Sequence, residues 1–253
     1  MRVFALSDLH VDYTVNARWI ANLSTADYRD DILILAGDIS DSLTTLDATL
    51  QKLTARFRKV LYVPGNHDLW VIRDAPEIDS LEKFRRVCEA AAEAGASMHP
   101  FHEGALTIVP LLSWYDYSFA LPTDELQQIW MDYRACRWPA ALDMTGVTTH
   151  FSALNPRSPI EARATTITFS HFLPRVDLMP HYIPAATKVL YPVLGTTRLE
   201  QQIRELRAKI HVYGHSHLNR RVQLEGIAYV NNAFGYPNEG RIASKELYCV
   251  FSC

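Results

Sequence analysis

Three features of this 253-residue chain point to an α/β fold. Apolar runs of strand length recur along it, segments with helical periodicity fall between them, and one strand-like run after another is closed by a turn carrying Asp, Asn or His. Strands alternating with helices build βαβ units and hence a largely parallel or mixed sheet. The length suits one undivided domain over 1–253, with ample chain to bury a core.

In order, VFALS (3–7) runs into Asp8-Leu9-His10, and ILILA (32–36) into Gly37-Asp38. KVLYV (59–63) ends at Pro64-Gly65-Asn66-His67-Asp68. TITFS (166–170) ends at His171, and IHVY (210–213) at Gly214-His215-Ser216-His217. Each run is rich in β-branched or aromatic residues and is bounded by turn signals. Another strand-like run precedes SWYDYSF, which contains Tyr115.

The helices are read from period and caps. SLEKFRRVCEAAAEAG (80–95) puts Leu81, Phe84, Val87, Cys88 and Ala91 on one face and stops at Gly95. TDELQQIWMDYR (123–134) opens with Thr123 as N-cap and acids in its first turn. TTRLEQQIRELRAK (196–209) aligns Leu199, Ile203 and Leu206. The Pro-rich aromatic stretch 173–195 has no clear period; directly after His171, it is expected to be an ordered loop on the rim of a site.

In parallel sheets the loops beyond the strands' carboxyl ends gather at one edge, where ligands bind. The turns would bring together Asp8, His10, Asp38, Asn66, His67, His171, His215 and His217. A turn needs Pro, Gly, Asn or Asp but not His. Any one of these residues alone reads as turn or packing chemistry, and a lone His171 or His211 reads as a core or surface histidine rather than a ligand. Ligand-type residues after five strands read as a site. Carboxylate, amide oxygen and imidazole suit Mn first, with Fe or Zn as alternatives, and the lack of thiolates argues against a structural zinc. On an extended segment, residues two apart point the same way, which would pair Asp8 with His10 and His215 with His217.

Asp8-x-His10, Gly37-Asp38, Gly65-Asn66-His67-Asp68, His171 and Gly214-His215-x-His217 together resemble, in order, the signature of the calcineurin-like metallophosphoesterase superfamily. The resemblance covers residues 3 to about 235. It implies two packed mixed β-sheets flanked by helices, an αββα sandwich. It implies one metal on Asp8, His10, Asp38 and His217, and a second on Asp38, Asn66, His171 and His215, with Asp38 bridging. Asp41 resembles the acid that pairs with the signature histidine in the protein-phosphatase branch, but Ser42-Leu43 follow it where that branch has Arg-Gly.

The expected chemistry is hydrolysis of a phosphate ester by a hydroxide held between the two metals. His67 is the candidate general acid, oriented by Asp41. The leading substrate is a monoester, either a small organic phosphate or a phosphoprotein. The alternatives are a phosphodiesterase on a cyclic nucleotide or nucleotide-linked substrate, and a scaffold that binds without catalysis. Arg175 and Tyr115 are candidate substrate contacts, with packing or surface charge as the competing reading. The net charge of −3 gives no sign of a nucleic-acid partner. No apolar run approaches the ~20 residues needed to span a bilayer, and residues 3–6 are too short for a signal-peptide core. Cys88, Cys136, Cys249 and Cys253 form no CxxC pair and are expected to be free thiols in a cytoplasmic chain.

Overall fold

A strand that is apolar along its whole length must be covered on both faces. Ile32–Ala36 is such a strand, with all five residues buried. The computed structural model, which describes residues 1–73, 77–156 and 165–253, meets this demand by stacking two sheets between helical layers. The strands are β1 (Arg2–Leu6), β2 (Ile32–Ala36), β3 (Lys59–Val63), β4 (Phe101–Glu103), β5 (Leu106–Pro110), β6 (Thr165–Phe169), β7 (Ile210–Tyr213), β8 (Arg220–Leu224), β9 (Ile227–Asn231) and β10 (Tyr248–Ser252). The smaller sheet has the order β10-β1-β2-β3, and the larger β4-β5-β6-β7-β9-β8. β1, β2 and β3 run parallel, as do β5, β6, β7 and β9. Antiparallel strands close three edges: β10, β4 and β8.

The period of two along each strand sorts the core into layers. Val3, Ala5, Ile32, Ile34, Ala36, Leu61 and Val63 face Leu106, Ile108, Ile167, Phe169, Val212 and Val230 between the sheets. The other face of the smaller sheet, with Phe4, Leu6, Leu33, Leu35 and Tyr62, packs on helices α1 (Thr14–Asn22), α2 (Leu43–Thr54) and α3 (Ser80–Glu93). α4 (Asp124–Ile129), α5 (Asp132–Ala135), α6 (Met144–Leu154) and α7 (Thr197–Glu205) follow in the chain. Val147 and Phe151 of α6 and Leu199 and Ile203 of α7 cover Val109, Tyr213 and Tyr229 of the larger sheet. The expected two packed mixed sheets flanked by helices are therefore what the chain forms.

Local signals set several boundaries. Asp79 caps α3 by accepting from the Glu82 N–H, and Gly95 (φ +83°) ends it. Thr123 caps α4 by accepting from the Leu126 N–H. The helix expected over 123–134 is broken, however. Trp130 leaves helical geometry (φ −79°, ψ 117°), and its indole N–H donates to Asp132 at 3.0 Å. The helix expected over 196–209 ends at Glu205, with Arg207 at φ 54°. Segment 173–195 is an ordered loop whose ends are tied together. The Leu173 N–H donates to the Leu194 carbonyl, and the Thr196 N–H to the Leu173 carbonyl. Two stretches of 3₁₀ helix, Val176–Leu178 and Ala185–Val193, lie inside it.

Candidate metal centre

The carboxyl ends of β1, β2, β3, β6 and β7 meet at one edge. Asp8 and His10 do not reach it by extended alternation, and neither do His215 and His217. Asp8, His10, Asp38, His215 and His217 all have left-handed backbones, with φ of 54°, 41°, 57°, 68° and 54°. Such conformations cost a non-glycine residue about 1–3 kcal/mol each and persist only where the surroundings over-determine them. Here the loops bind each other. The Asp8 N–H donates to the Gly37 carbonyl, the His10 N–H to the Asp38 carbonyl, and the His215 N–H to Asp8 Oδ1 at 3.0 Å. Contact is so close at Gly65 that a Cβ there would lie 2.1 Å from Asp38 Oδ1.

Two clusters of donor atoms result. Asp8, His10, Asp38 and His217 form one, Asp38, His171 and His215 the other, and within each the donor atoms lie within 4.8 Å of one another. Asn66 completes the second, its Oδ1 lying 3.0 Å from both His171 Nε2 and His215 Nδ1. Asp38 belongs to both. The outward nitrogens are occupied by acceptors: His171 Nδ1 by the Ala36 carbonyl (2.9 Å), His215 Nε2 by the Val193 carbonyl (3.0 Å), and His217 Nδ1 by Glu239 (2.7 Å). Each outward nitrogen therefore carries the proton, and the inward nitrogens of His171 and His215 present lone pairs to the Asn66 oxygen. Lone pairs converging without a donor between them fit a cation.

The charges agree. Burial, together with neighbouring Asp68 and Asp8, pushes Asp38 well above the usual carboxylate range. Burial works against Asp8 as an anion too, but His217, His171 and His10 hold its pKa low. Burial would lower His217, yet Asp8 and Glu239 carry it up to about 10. A divalent cation held here would take the place of the His217 proton and relieve the packed Asp8 and Asp38 carboxylates.

Two carboxylates that the sequence reading left without a role support this arrangement. Asp68, fully buried, accepts from the N–H groups of Asp38, Ile39, Ser40 and Gly65 and from the Tyr62 hydroxyl. It ties the turn after β3 to the turn after β2, and as the last residue of Gly-Asn-His-Asp it was in view in the sequence. Asp132, also buried, accepts from Asn66 Nδ2 (2.8 Å), Trp70 Nε1 (2.7 Å) and Trp130 Nε1. Read as one position in a continuous helix, it carried no signal.

Three expected roles do not match the geometry. Asp41 is bonded to Arg73 at 2.5 Å, and among the described residues no hydrogen bond joins it to His67. The Arg175 guanidinium is taken up by Asp177, Glu200 and Glu225. Tyr115 is fully buried against Trp114 and Phe172 and does not line the cleft described below. His67 stacks on Trp70, with ring centroids 3.7 Å apart, and its Nε2 lies 3.9 Å from Asp38 Oδ2. Burial, with His217 and His171 nearby, lowers its pKa to about 3. His211 is a core residue, held by Thr168 and Ser170.

Beside the clusters lies a cleft of about 300 Å³. One wall is Trp130 with Ile129 and Met131, and the other is the ordered loop, through Met179, Leu190 and Tyr191. Among the described residues that line it there is no Lys or Arg. The four cysteines are unpaired thiols, and among the described residues no helix is long and apolar enough to cross a membrane.

Comparison with known proteins gives three findings. The family model for calcineurin-like phosphoesterases matches residues 1–219. The chain is 28% identical over 264 residues to the [acyl-carrier-protein] phosphodiesterase PptH of Mycobacterium tuberculosis (strain ATCC 25618 / H37Rv), covering 94% of this chain and 79% of that protein. It superposes on the crystal structure of the phosphopantetheinyl hydrolase PptH from Mycobacterium tuberculosis with a TM-score of 0.77 at 24% identity, covering 95% of this chain and 91% of that one.

Proposed function

The chain belongs to the calcineurin-like phosphoesterase family, and from that premise we propose that it is a metal-dependent phosphodiesterase that releases an organic phosphate arm from a carrier protein. The observation that carries the diester reading is the cleft. A monoester presents a dianion and gains from extra cationic side chains. A diester presents one negative charge and two organic groups. The walls beside the metal cluster are apolar and aromatic and lack Lys and Arg among the described residues, which suits the second. The relative named as an acyl-carrier-protein phosphodiesterase, together with the structure named as phosphopantetheinyl hydrolase, supports a phosphopantetheinyl arm as that organic group. A monoesterase, the first expectation from sequence, is the less favoured reading.

Two divalent cations, manganese first among those the donors suit, would supply Lewis acidity and lower the pKa of water. Asp8, His10 and His217 would hold one, Asn66, His171 and His215 the other, and Asp38 both. The remaining work falls to the chain. His67, at the cleft beside Asp38, would donate its N–H to a phosphoryl oxygen. Trp130, Met179, Leu190 and Tyr191 would seat the arm and exclude water along one side of the phosphorus.

The test is to incubate the manganese-loaded chain with a phosphopantetheinylated acyl carrier protein and follow the carrier's mass. Loss of the arm, together with a higher kcat/KM on bis-p-nitrophenyl phosphate than on p-nitrophenyl phosphate, is expected. An intact carrier and faster monoester turnover would overturn the proposal.

A further inference from the structure

Asp132 occupies an unusual place. It is 2% exposed, and no cation is among the partners of its carboxylate described above. Its Oδ1 receives the amide of Asn66 and the indole of Trp70, and its Oδ2 receives the indole of Trp130. Each donor also touches the metal cluster or the cleft. Asn66 turns its oxygen to His171 and His215. Trp70 stacks on His67. Trp130 packs nearly perpendicular to His215, with ring centroids 5.7 Å apart, and forms a cleft wall.

A side-chain amide has two ends that differ only in hydrogen-bonding character. For Asn66 to face a cation with oxygen, its nitrogen must face an acceptor that cannot also donate. An ionised carboxylate meets that condition, and a neutral amide or hydroxyl in the same place does not. We propose that Asp132 is a positioning residue for the half-site formed by Asn66, His171 and His215: it fixes the Asn66 amide with oxygen inward and seats the two tryptophans against His67 and His215. It acts through these residues rather than on substrate. The break in the predicted helix at Trp130 is the backbone change that lets residues 130 and 132 meet.

The inference rests on the reading of the site as a two-cation centre, and the experiment separates the two. Metal-free wild type and Asp132→Asn are titrated with Mn²⁺, followed by calorimetry and electron paramagnetic resonance. Wild type should take two equivalents and show a spin-coupled signal. Asp132→Asn should take the first ion as wild type does and bind the second about 10- to 100-fold more weakly, the range typical for loss of an outer partner of a ligand. At two equivalents its spectrum should still show an uncoupled ion. Trp130→Phe removes one donor but leaves the Asp132–Asn66 bond, so it should keep both ions. If Asp132→Asn does not fold, Asp132→Glu, which keeps the charge but displaces the oxygen, should show the same selective loss. Normal second-ion affinity in the Asp132 variants, loss of both ions, or equal weakening in Trp130→Phe would overturn the proposal. A wild type that takes fewer than two ions would overturn the two-cation reading and this inference with it.

Discussion

His67 shows how a residue can sit where its motif puts it and still lack the expected partner. With Asp41 bonded to Arg73 and the imidazole stacked on Trp70, no carboxylate at position 41 supports proton donation. Burial also keeps the ring neutral at neutral pH, with a pKa of about 3. Its N–H is then suited to orient a phosphoryl oxygen. His67→Ala should lower kcat by about 10²-fold, the scale of removing one donor to a developing oxyanion. The loss should be equal for diesters with alkyl and nitrophenyl leaving groups, and metal content should be unchanged. A much larger loss for the alkyl ester, measured as kcat on both, would restore the role of general acid. The eight residues at the strand ends were legible because imidazole, carboxylate and amide followed strand after strand; taking seven of them as ligands and setting His67 apart came from the family resemblance. Glu239 and Asp132 were not, because the contacts that give them meaning join residues 22 positions or more apart in the chain.

The turns after β2 and β3 are held as one element by Asp68. Asp68→Asn would point an amide nitrogen at several buried donors, or leave them without an acceptor. Each buried group left unpaired costs about 1–3 kcal/mol. The variant should therefore lose at least about 3 kcal/mol of stability, read from urea denaturation of metal-free protein. A loss below about 1 kcal/mol would mean that the turns do not depend on this carboxylate. Element types were legible wherever one physical constraint dominated. β1, β2 and β3 are apolar because both faces are covered, and α3 and α7 show a clean apolar stripe and a cap. The edge strands were not read, because β8 and β10 are only partly buried and carry a weak pattern. α1 was missed because it has no capping side chain and buries a polar residue, Asn16. Helix 123–134 was read too long because its break depends on a hydrogen bond between two side chains.

For the whole molecule, acid stability is set partly by a histidine away from the metal cluster. His211, on β7, is buried and bonds Thr168 and Ser170, and burial lowers its pKa to about 3 from an ordinary 6.5. The unfolded chain therefore binds a proton at this residue below pH 6.5 while the folded chain does not. The stability from this difference is present above pH 6.5 and is lost as pH falls toward 3. Relative to His211→Gln, which keeps hydrogen-bonding groups without titrating, wild type should lose on the order of 3 kcal/mol between pH 7 and pH 4. Chemical denaturation at the two pH values, with chelator present, measures it. Parallel pH profiles for the two proteins would show that His211 is not the group responsible.

The ordered loop over 173–195 has a consequence for how such a protein can diversify. Its side chains Met179, Leu190 and Tyr191 form a cleft wall, while its Val193 carbonyl holds the outward nitrogen of His215. On the proposed function, selectivity and metal retention would thus be written on one length of chain. A change of loop length or backbone path would disturb both at once. Exchanges of the wall side chains alone leave the carbonyl in place. New substrate preferences are therefore open to this scaffold by point substitution at positions 179, 190 and 191, and closed to it by insertion or deletion near 193.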